Sequence, residues 1–138
     1  MINYFSEKVN MPMFPHRKMS QWIKEVSKLH GKTAGNVSFI FCNDEKILEI
    51  NQQYLQHDYF TDVITFDASV DNVIHGDIFI SIDTVAGNAL SYQVPFQQEL
   101  YRIMIHGILH LCGFDDQTDV MRAVMRAEED KALKMITF

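Results

Sequence analysis

The stretch His106-Gly-Ile-Leu-His110-Leu-Cys-Gly113-Phe-Asp-Asp116 decides how the rest of this chain is interpreted. The segment Phe96 to Cys112 is apolar on nearly every side, which predicts a central, buried helix. Because a helix turns by about 100° per residue, His106 and His110 lie on one face, one turn apart. Two imidazoles that share a metal need that arrangement. Gly113 allows a left-handed conformation at the helix end, so the acidic loop can fold back toward the rings.

Asp116 is placed by this loop to supply a third ligand beside His106 and His110. Three protein ligands leave one position open, which is typical of catalytic zinc sites. The spacing matches the metzincin signature H-E-x-x-H-x-x-G-x-x-H, with two differences. Gly107 stands where those proteases carry a general-base glutamate, and Asp116 replaces the third histidine. A carboxylate is an accepted zinc ligand, so metal binding is still expected with Asp116. The ligand spacing favours a metallopeptidase, whereas Gly107 disfavours one. The alternative for each histidine is a buried core residue whose ring nitrogens form hydrogen bonds and bind no metal.

Composition indicates one soluble domain spanning residues 1–138. With 47% hydrophobic and 22% charged residues, the chain is not a disordered protein. The apolar stretch Ile103 to Phe114 is too short to span a bilayer, and the N-terminus shows no secretory signal. Cys42 and Cys112 fit reduced thiols in the core of a cytoplasmic protein.

The formal net charge of −6 argues against a general nucleic-acid coat protein. It allows a local basic face, however. Lys24, Lys28 and Lys32 recur at every fourth residue and form one stripe on a helix. The simpler interpretation of this stripe is a solvated helix face.

Helices and short strands alternate along the chain, which predicts an α+β fold, an α/β sandwich in which helices cover one small mixed β-sheet. The helix with the two histidines is its metzincin-like zinc-site helix. Predicted strands are Val37–Cys42, Val63–Phe66 and Gly76–Ser81. Predicted helices cover about His16–His30, Asn43 or Asp44 to Tyr54, about ten residues from Ser81 or Asp83, Phe96–Cys112, and Thr118 or Asp119 to about Met135.

At the histidine stretch the sequence resembles a known family. HGILHLCGFDD is similar to the signature H-G-x-L-H-L-x-G-(Y/F)-D-H of the YbeY family of metal-dependent endoribonucleases, which are rRNA maturation factors. Further matching blocks follow the family's order between about residues 48 and 133. They are Asn51-x-x-Tyr54 with Asp58, Thr61–Phe66, Gly76–Ser81, and Met125-x-x-Glu128.

The resemblance implies a small fold related to the metalloprotease fold, one bound zinc ion per chain, and cleavage of single-stranded RNA. It further implies a role in maturing the 3′ end of 16S ribosomal RNA and in ribosome quality control, with the small ribosomal subunit as partner. By position, His106 and His110 correspond to metal ligands, and Asp116 takes the place of the family's third ligand histidine.

The chain departs from the family at Leu55, where the family carries an arginine. Two cations are candidates to replace it: Arg102, one helical turn before His106, and His57. For Arg102 the alternative is a helix-packing residue, and for His57 a solvated loop residue. Asp115 is a candidate general base. Two other functions stay open, a metallopeptidase and a non-catalytic ribosome-associated factor, the latter favoured by Leu55 and the acidic charge.

Two further acidic residues, Asp62 and Asp77, are expected to begin strands. Turn chemistry explains an aspartate there, so neither is assigned a catalytic role.

Overall fold

A computed structural model describes residues 1–55 and 63–138. The side chain of Leu55, the candidate cation His57 and the predicted strand-start residue Asp62 therefore lie outside the described residues. The sheet has four strands in the order β1-β2-β4-β3. Strand β2 pairs in parallel with β1 and β4, while β3 pairs with β4 in antiparallel fashion. The strands are β1 Ile2–Ser6, β2 Thr33–Cys42, β3 Val63–Asp67 and β4 Val73–Ser81.

Helices pack on both faces of this mixed sheet, so the predicted α+β class is confirmed. They are α1 His16–Leu29, α2 Asp44–Ile50, α3 Ile82–Tyr92, α4 Phe96–Leu111 and α5 Asp119–Lys134. Helix α2 continues into a π-helical turn over Asn51–Leu55. Three of the helices begin at a residue whose side chain accepts a backbone N–H three positions on: Asn43, Ser81 and Thr118.

Helix α4 lies at the centre of the larger core. Ten of its residues are buried, and it contacts the sheet as well as α1, α3 and α5. Strand alternation places Phe39 and Ile78 in the same core as α4, whereas Phe79 packs in a smaller cluster that includes Ile47 of α2. The predicted burial of both cysteines is also confirmed, and desolvation raises the pKa of the Cys42 thiol to about 12 and that of Cys112 to about 11.

Strand β1 and the first residues of β2 and β4 were not predicted from the sequence. Strand β1 is short and largely half-buried or exposed, and its partner is a distant segment, with Ile2 opposite Val37. Because β4 begins at Val73, Asp77 lies within the strand and not at its start. In residues 1–55 and 63–138, the structure contains no helix that is both long and apolar enough to cross a membrane.

Candidate metal centre

The two histidines project from one face of α4, as the sequence predicts, and the chain then turns back toward them. Gly113 adopts a φ of +105°, a left-handed conformation that L side chains rarely adopt. The turn is closed by backbone hydrogen bonds from Gly113 N–H to the His110 carbonyl, 3.0 Å, and from Phe114 N–H to the Leu109 carbonyl, 3.0 Å. This reversal carries the acidic loop to the exposed edges of the two rings.

Three donor atoms converge there. His106 Nε2 lies 3.0 Å from His110 Nε2, and Asp116 Oδ2 lies 3.3 Å and 3.4 Å from those two nitrogens. A tetrahedral zinc ion with ligands about 2.0 Å away keeps its ligand atoms about 3.3 Å apart. The three atoms therefore form a triangle of the size that a tetrahedral metal needs, and all three side chains are only partly buried. The geometry fits a metal bound by three protein ligands with one position open.

The other ring nitrogen of each histidine is held by an oxygen acceptor. His106 Nδ1 lies 2.7 Å from Glu129 Oε2, on α5, and His110 Nδ1 lies 3.0 Å from the Phe114 carbonyl oxygen. A carbonyl or an ionised carboxylate can only accept a hydrogen bond, so each Nδ1 carries the proton and donates. The lone pair of each Nε2 then faces the common point, as a metal-binding imidazole requires.

The triangle opens into a cavity of about 470 Å³. Asp115 lines this cavity, where its Oδ1 accepts the backbone N–H of Asp116 at 2.8 Å. Thr65 of β3 also lines it, and its hydroxyl oxygen is buried without a hydrogen-bond partner among the described residues. The proposed general-base role of Asp115 stays a prediction. Position 107 faces away from the cavity, because a Cβ added to Gly107 would meet Ile78 of β4.

Arg102 lies next to this centre, and its guanidinium is engaged by α5. Nη1 donates to Glu129 Oε1 at 2.9 Å and Nη2 donates to Asp130 Oδ1 at 2.7 Å, with 13% of the side chain exposed. Burial alone would lower the pKa of Arg102, but these two hydrogen bonds raise it above its ordinary value. The hydrogen bond from Arg102 Nη2 also lowers the pKa of Asp130. A direct contact from Arg102 to phosphate stays a prediction.

Sequence reasoning missed three residues around the centre: Glu129, Arg122 and Arg126, all on α5. A second cavity of about 200 Å³ adjoins the first, since His106 and Asp116 line both, and all three residues line it. Arg122 Nη1 also donates to the Asp116 carbonyl at 3.1 Å. The block Met125-x-x-Glu128 pointed to this helix, but no pattern singled out Glu129.

Of the predicted stripe of lysines, Lys24 and Lys28 lie on α1, whereas Lys32 lies beyond the end of this helix, directly before β2. Lys24, Lys28 and Lys32 line one surface groove of about 390 Å³. Lys24 and Lys28 are exposed and Lys32 is half-buried. The exposure of Lys24 and Lys28 agrees with a solvated helix face.

Comparison with known proteins identifies relatives over the whole chain. The family model described as endoribonuclease YbeY matches residues 2–137. The chain is 51% identical over 137 residues to the endoribonuclease YbeY of Phocaeicola vulgatus, covering 99% of both proteins. It is 49% identical over 135 residues to that of Parabacteroides distasonis, covering 98% of this chain and 95% of that protein. Among solved structures, it resembles the solution structure of TM1509 from Thermotoga maritima, with a TM-score of 0.67 and 28% identity, covering 97% of this chain and 87% of that one.

Proposed function

The chain belongs to the endoribonuclease YbeY family, and from this premise we propose that it is a zinc-dependent enzyme that cleaves single-stranded RNA. Its proposed substrate is precursor ribosomal RNA of the small subunit, at the 3′ end of 16S rRNA, in the cytoplasm. A part in ribosome quality control belongs to the same proposal. The observation that carries the metal dependence is the triangle of donor atoms from His106, His110 and Asp116.

In this proposal those three side chains hold one zinc ion per chain. Two imidazole nitrogens and one carboxylate oxygen suit zinc, although imidazole also binds copper, iron and nickel. When bound, the metal supplies Lewis-acid polarisation of a phosphodiester and compensates negative charge that develops on it. Asp115, at the rim of the same cavity, is the proposed group that accepts a proton from the attacking water.

RNA phosphates need cationic partners near the metal, although the whole chain carries a formal net charge of −6. The cavity beside the centre supplies them locally, because Arg102, Arg122 and Arg126 all line it. The side chains of Arg122 and Arg126 are exposed, and Arg122 also pairs with Asp119 and donates to the Asp116 carbonyl at the edge of the same cavity. We propose that these cations position the phosphate in this chain, which has Leu55 where the family carries an arginine.

Position 107 provides an argument against the metallopeptidase alternative. The general base of those enzymes is a glutamate at this position, next to the first histidine. Here the residue is Gly107, and a Cβ added to it would lie 2.8 Å from Ile78 Cγ2. A glutamate would therefore start against the sheet and away from the cavity.

The test compares RNA cleavage with metal content. Purified protein is analysed for bound metal and then assayed on a single-stranded RNA oligonucleotide, the matching duplex and a peptide panel, with and without chelator. We expect one zinc ion per chain and chelator-sensitive cleavage of the single strand alone. Cleavage that persists without metal contradicts the proposed zinc dependence, and cleavage of peptides instead favours a metallopeptidase. Binding to small ribosomal subunits without cleavage of any RNA favours a non-catalytic factor.

The ligand assignment has its own control. Replacing both His106 and His110 by alanine removes two of the three donors, so bound metal and cleavage should fall to background. His16→Ala, at an exposed histidine on α1, should leave both unchanged. Stoichiometric metal in the double variant would show that the ion binds elsewhere.

A further inference from the structure

We infer that Glu129 positions His106 for metal binding, and that Arg102 acts through Glu129 by holding its carboxylate in place. This inference rests on the proposed metal centre. It adds a residue of α5 that orients one of the metal ligands. It also gives Arg102 a role distinct from contact with phosphate.

The first argument is the burial of Glu129. Its neighbours on the inward face of α5 are Met125, one turn before, and Ala132, nearly one turn after, and both are buried and apolar. Glu129 is only 5% exposed between them. A buried carboxylate costs free energy unless hydrogen bonds and opposite charge compensate it. A purely structural position on this face would therefore favour an apolar residue.

The second argument is that the carboxylate divides its two oxygens between two residues of α4. Oε2 accepts from His106 Nδ1 at 2.7 Å, and Oε1 accepts from Arg102 Nη1 at 2.9 Å. The first contact fixes the ring plane and tautomer of His106, so that Nε2 faces the other donors. The second supplies the positive charge that makes an ionised carboxylate tolerable at this depth.

The third argument comes from a comparison of the two histidines. His110 is oriented by the Phe114 carbonyl, within the same turn that ends its own helix. His106 is oriented instead by a different helix, through a side chain 23 positions later. Its alignment therefore depends on a contact between α4 and α5 that can be removed without altering the loop that carries Asp116.

Asp130 offers a matched control because it shares one partner with Glu129. It accepts from Arg102 Nη2 at 2.7 Å, but its side chain is half exposed, and the Glu129 carboxylate is the one that meets His106. Asp130→Asn removes one ion pair between α4 and α5 and leaves the support of His106 intact. Glu129→Gln removes an ion pair of the same kind together with the charged acceptor of His106.

The experiment measures zinc affinity by chelator competition in the parent, Glu129→Gln, Asp130→Asn and Arg102→Ala, together with the melting temperature of each metal-free protein. Outer hydrogen-bond partners of metal ligands typically contribute about 10- to 100-fold in affinity. We expect a loss in this range for Glu129→Gln, a smaller loss for Arg102→Ala, and less than a twofold change for Asp130→Asn. Nitrogen-15 spectra of the metal-free parent should show His106 protonated at Nδ1, and Glu129→Gln should alter that signal.

Several outcomes would overturn the inference. One is parent-like zinc affinity in Glu129→Gln, and another is an equal loss in Asp130→Asn, which would indicate a general effect of helix packing. Unchanged zinc affinity in Arg102→Ala would overturn its role through Glu129 and favour the direct phosphate contact. A parent that binds no zinc would overturn the proposed function itself, which separates the two failures.

Discussion

Replacing Gly107 by alanine tests how closely α4 packs on the sheet beneath the metal centre. Gly107 is buried, and its α-carbon faces Ile78 of β4. An added Cβ would lie 2.8 Å from Cγ2 and 3.0 Å from Cδ1 of that isoleucine. Carbon atoms attract best at separations of about 3.5–4.0 Å, so either Ile78 or the helix must shift. Cγ2 is attached at the branch point of Ile78 and cannot move without the rest of the side chain.

The size of the effect follows from two opposing contributions. Overpacking a well-filled core costs about 1–3 kcal/mol, and alanine favours a helix over glycine by about 1 kcal/mol. Gly87 in α3 provides a matched control, because it is exposed and no atom lies within 4 Å of its added Cβ. Gly87→Ala should therefore gain the helix preference without the clash. The difference between the two variants isolates the overpacking cost, about 1–3 kcal/mol in free energy of unfolding.

Urea unfolding of the metal-free proteins, followed by circular dichroism, measures this difference directly. We expect Gly87→Ala to be slightly more stable than the parent and Gly107→Ala to be the less stable of the two variants. Equal stability of the two variants would refute the close approach of α4 to β4. It would also remove the structural argument against a glutamate at position 107.

The proposed third ligand, position 55 and the buried Cys42 thiol can each be tested by one measurement. Asp116→Ala should weaken zinc binding and Asp116→His should restore it in a metal titration, and equal affinity in parent and alanine variant would contradict the ligand role. Leu55→Arg should raise the rate of RNA cleavage, and an unchanged rate would contradict a phosphate-positioning role at that position. Burial raises the pKa of Cys42 to about 12 from 9.0, so above pH 9 the unfolded state loses its thiol proton first and stability falls. The free energy of unfolding of the parent, relative to Cys42→Ala, should drop by about 1.4 kcal/mol between pH 8 and 10; a constant difference would contradict the burial effect.

The elements that sequence reasoning predicted are those with a strong local pattern. Such a pattern can be recognised from a few neighbouring positions. Examples are the apolar residues on nearly every side of α4, the β-branched and aromatic run in β2, and the capping residues Asn43 and Thr118. Strand β1 has no such pattern. It exists because Ile2–Ser6 adds to the edge of β2, some 35 residues away, and a parallel pairing of this kind depends on the assembled sheet.

The same division applies to the metal centre. Helical periodicity and the glycine at the helix end are local features, and they were sufficient to bring His106, His110 and Asp116 together. The partners of Arg102 could not be predicted from local patterns, because Glu129 lies 27 positions later on another helix. Periodicity of α5 places Glu129 on its inward face, but which residue of α4 it meets depends on how the two helices pack.

Two separate parts of the structure therefore orient the metal ligands, and each orients different side chains. The turn at Gly113 brings in Asp116 and, through the Phe114 carbonyl, orients His110, so a change in this turn affects two of the three donors at once. Glu129 on α5 orients only His106, and does so from a buried position. Because these two parts share no residue, the α4–α5 contact can set the alignment of one donor while the turn sets the other two. A site built from a single helix and its following turn thereby also depends on how α5 packs against α4.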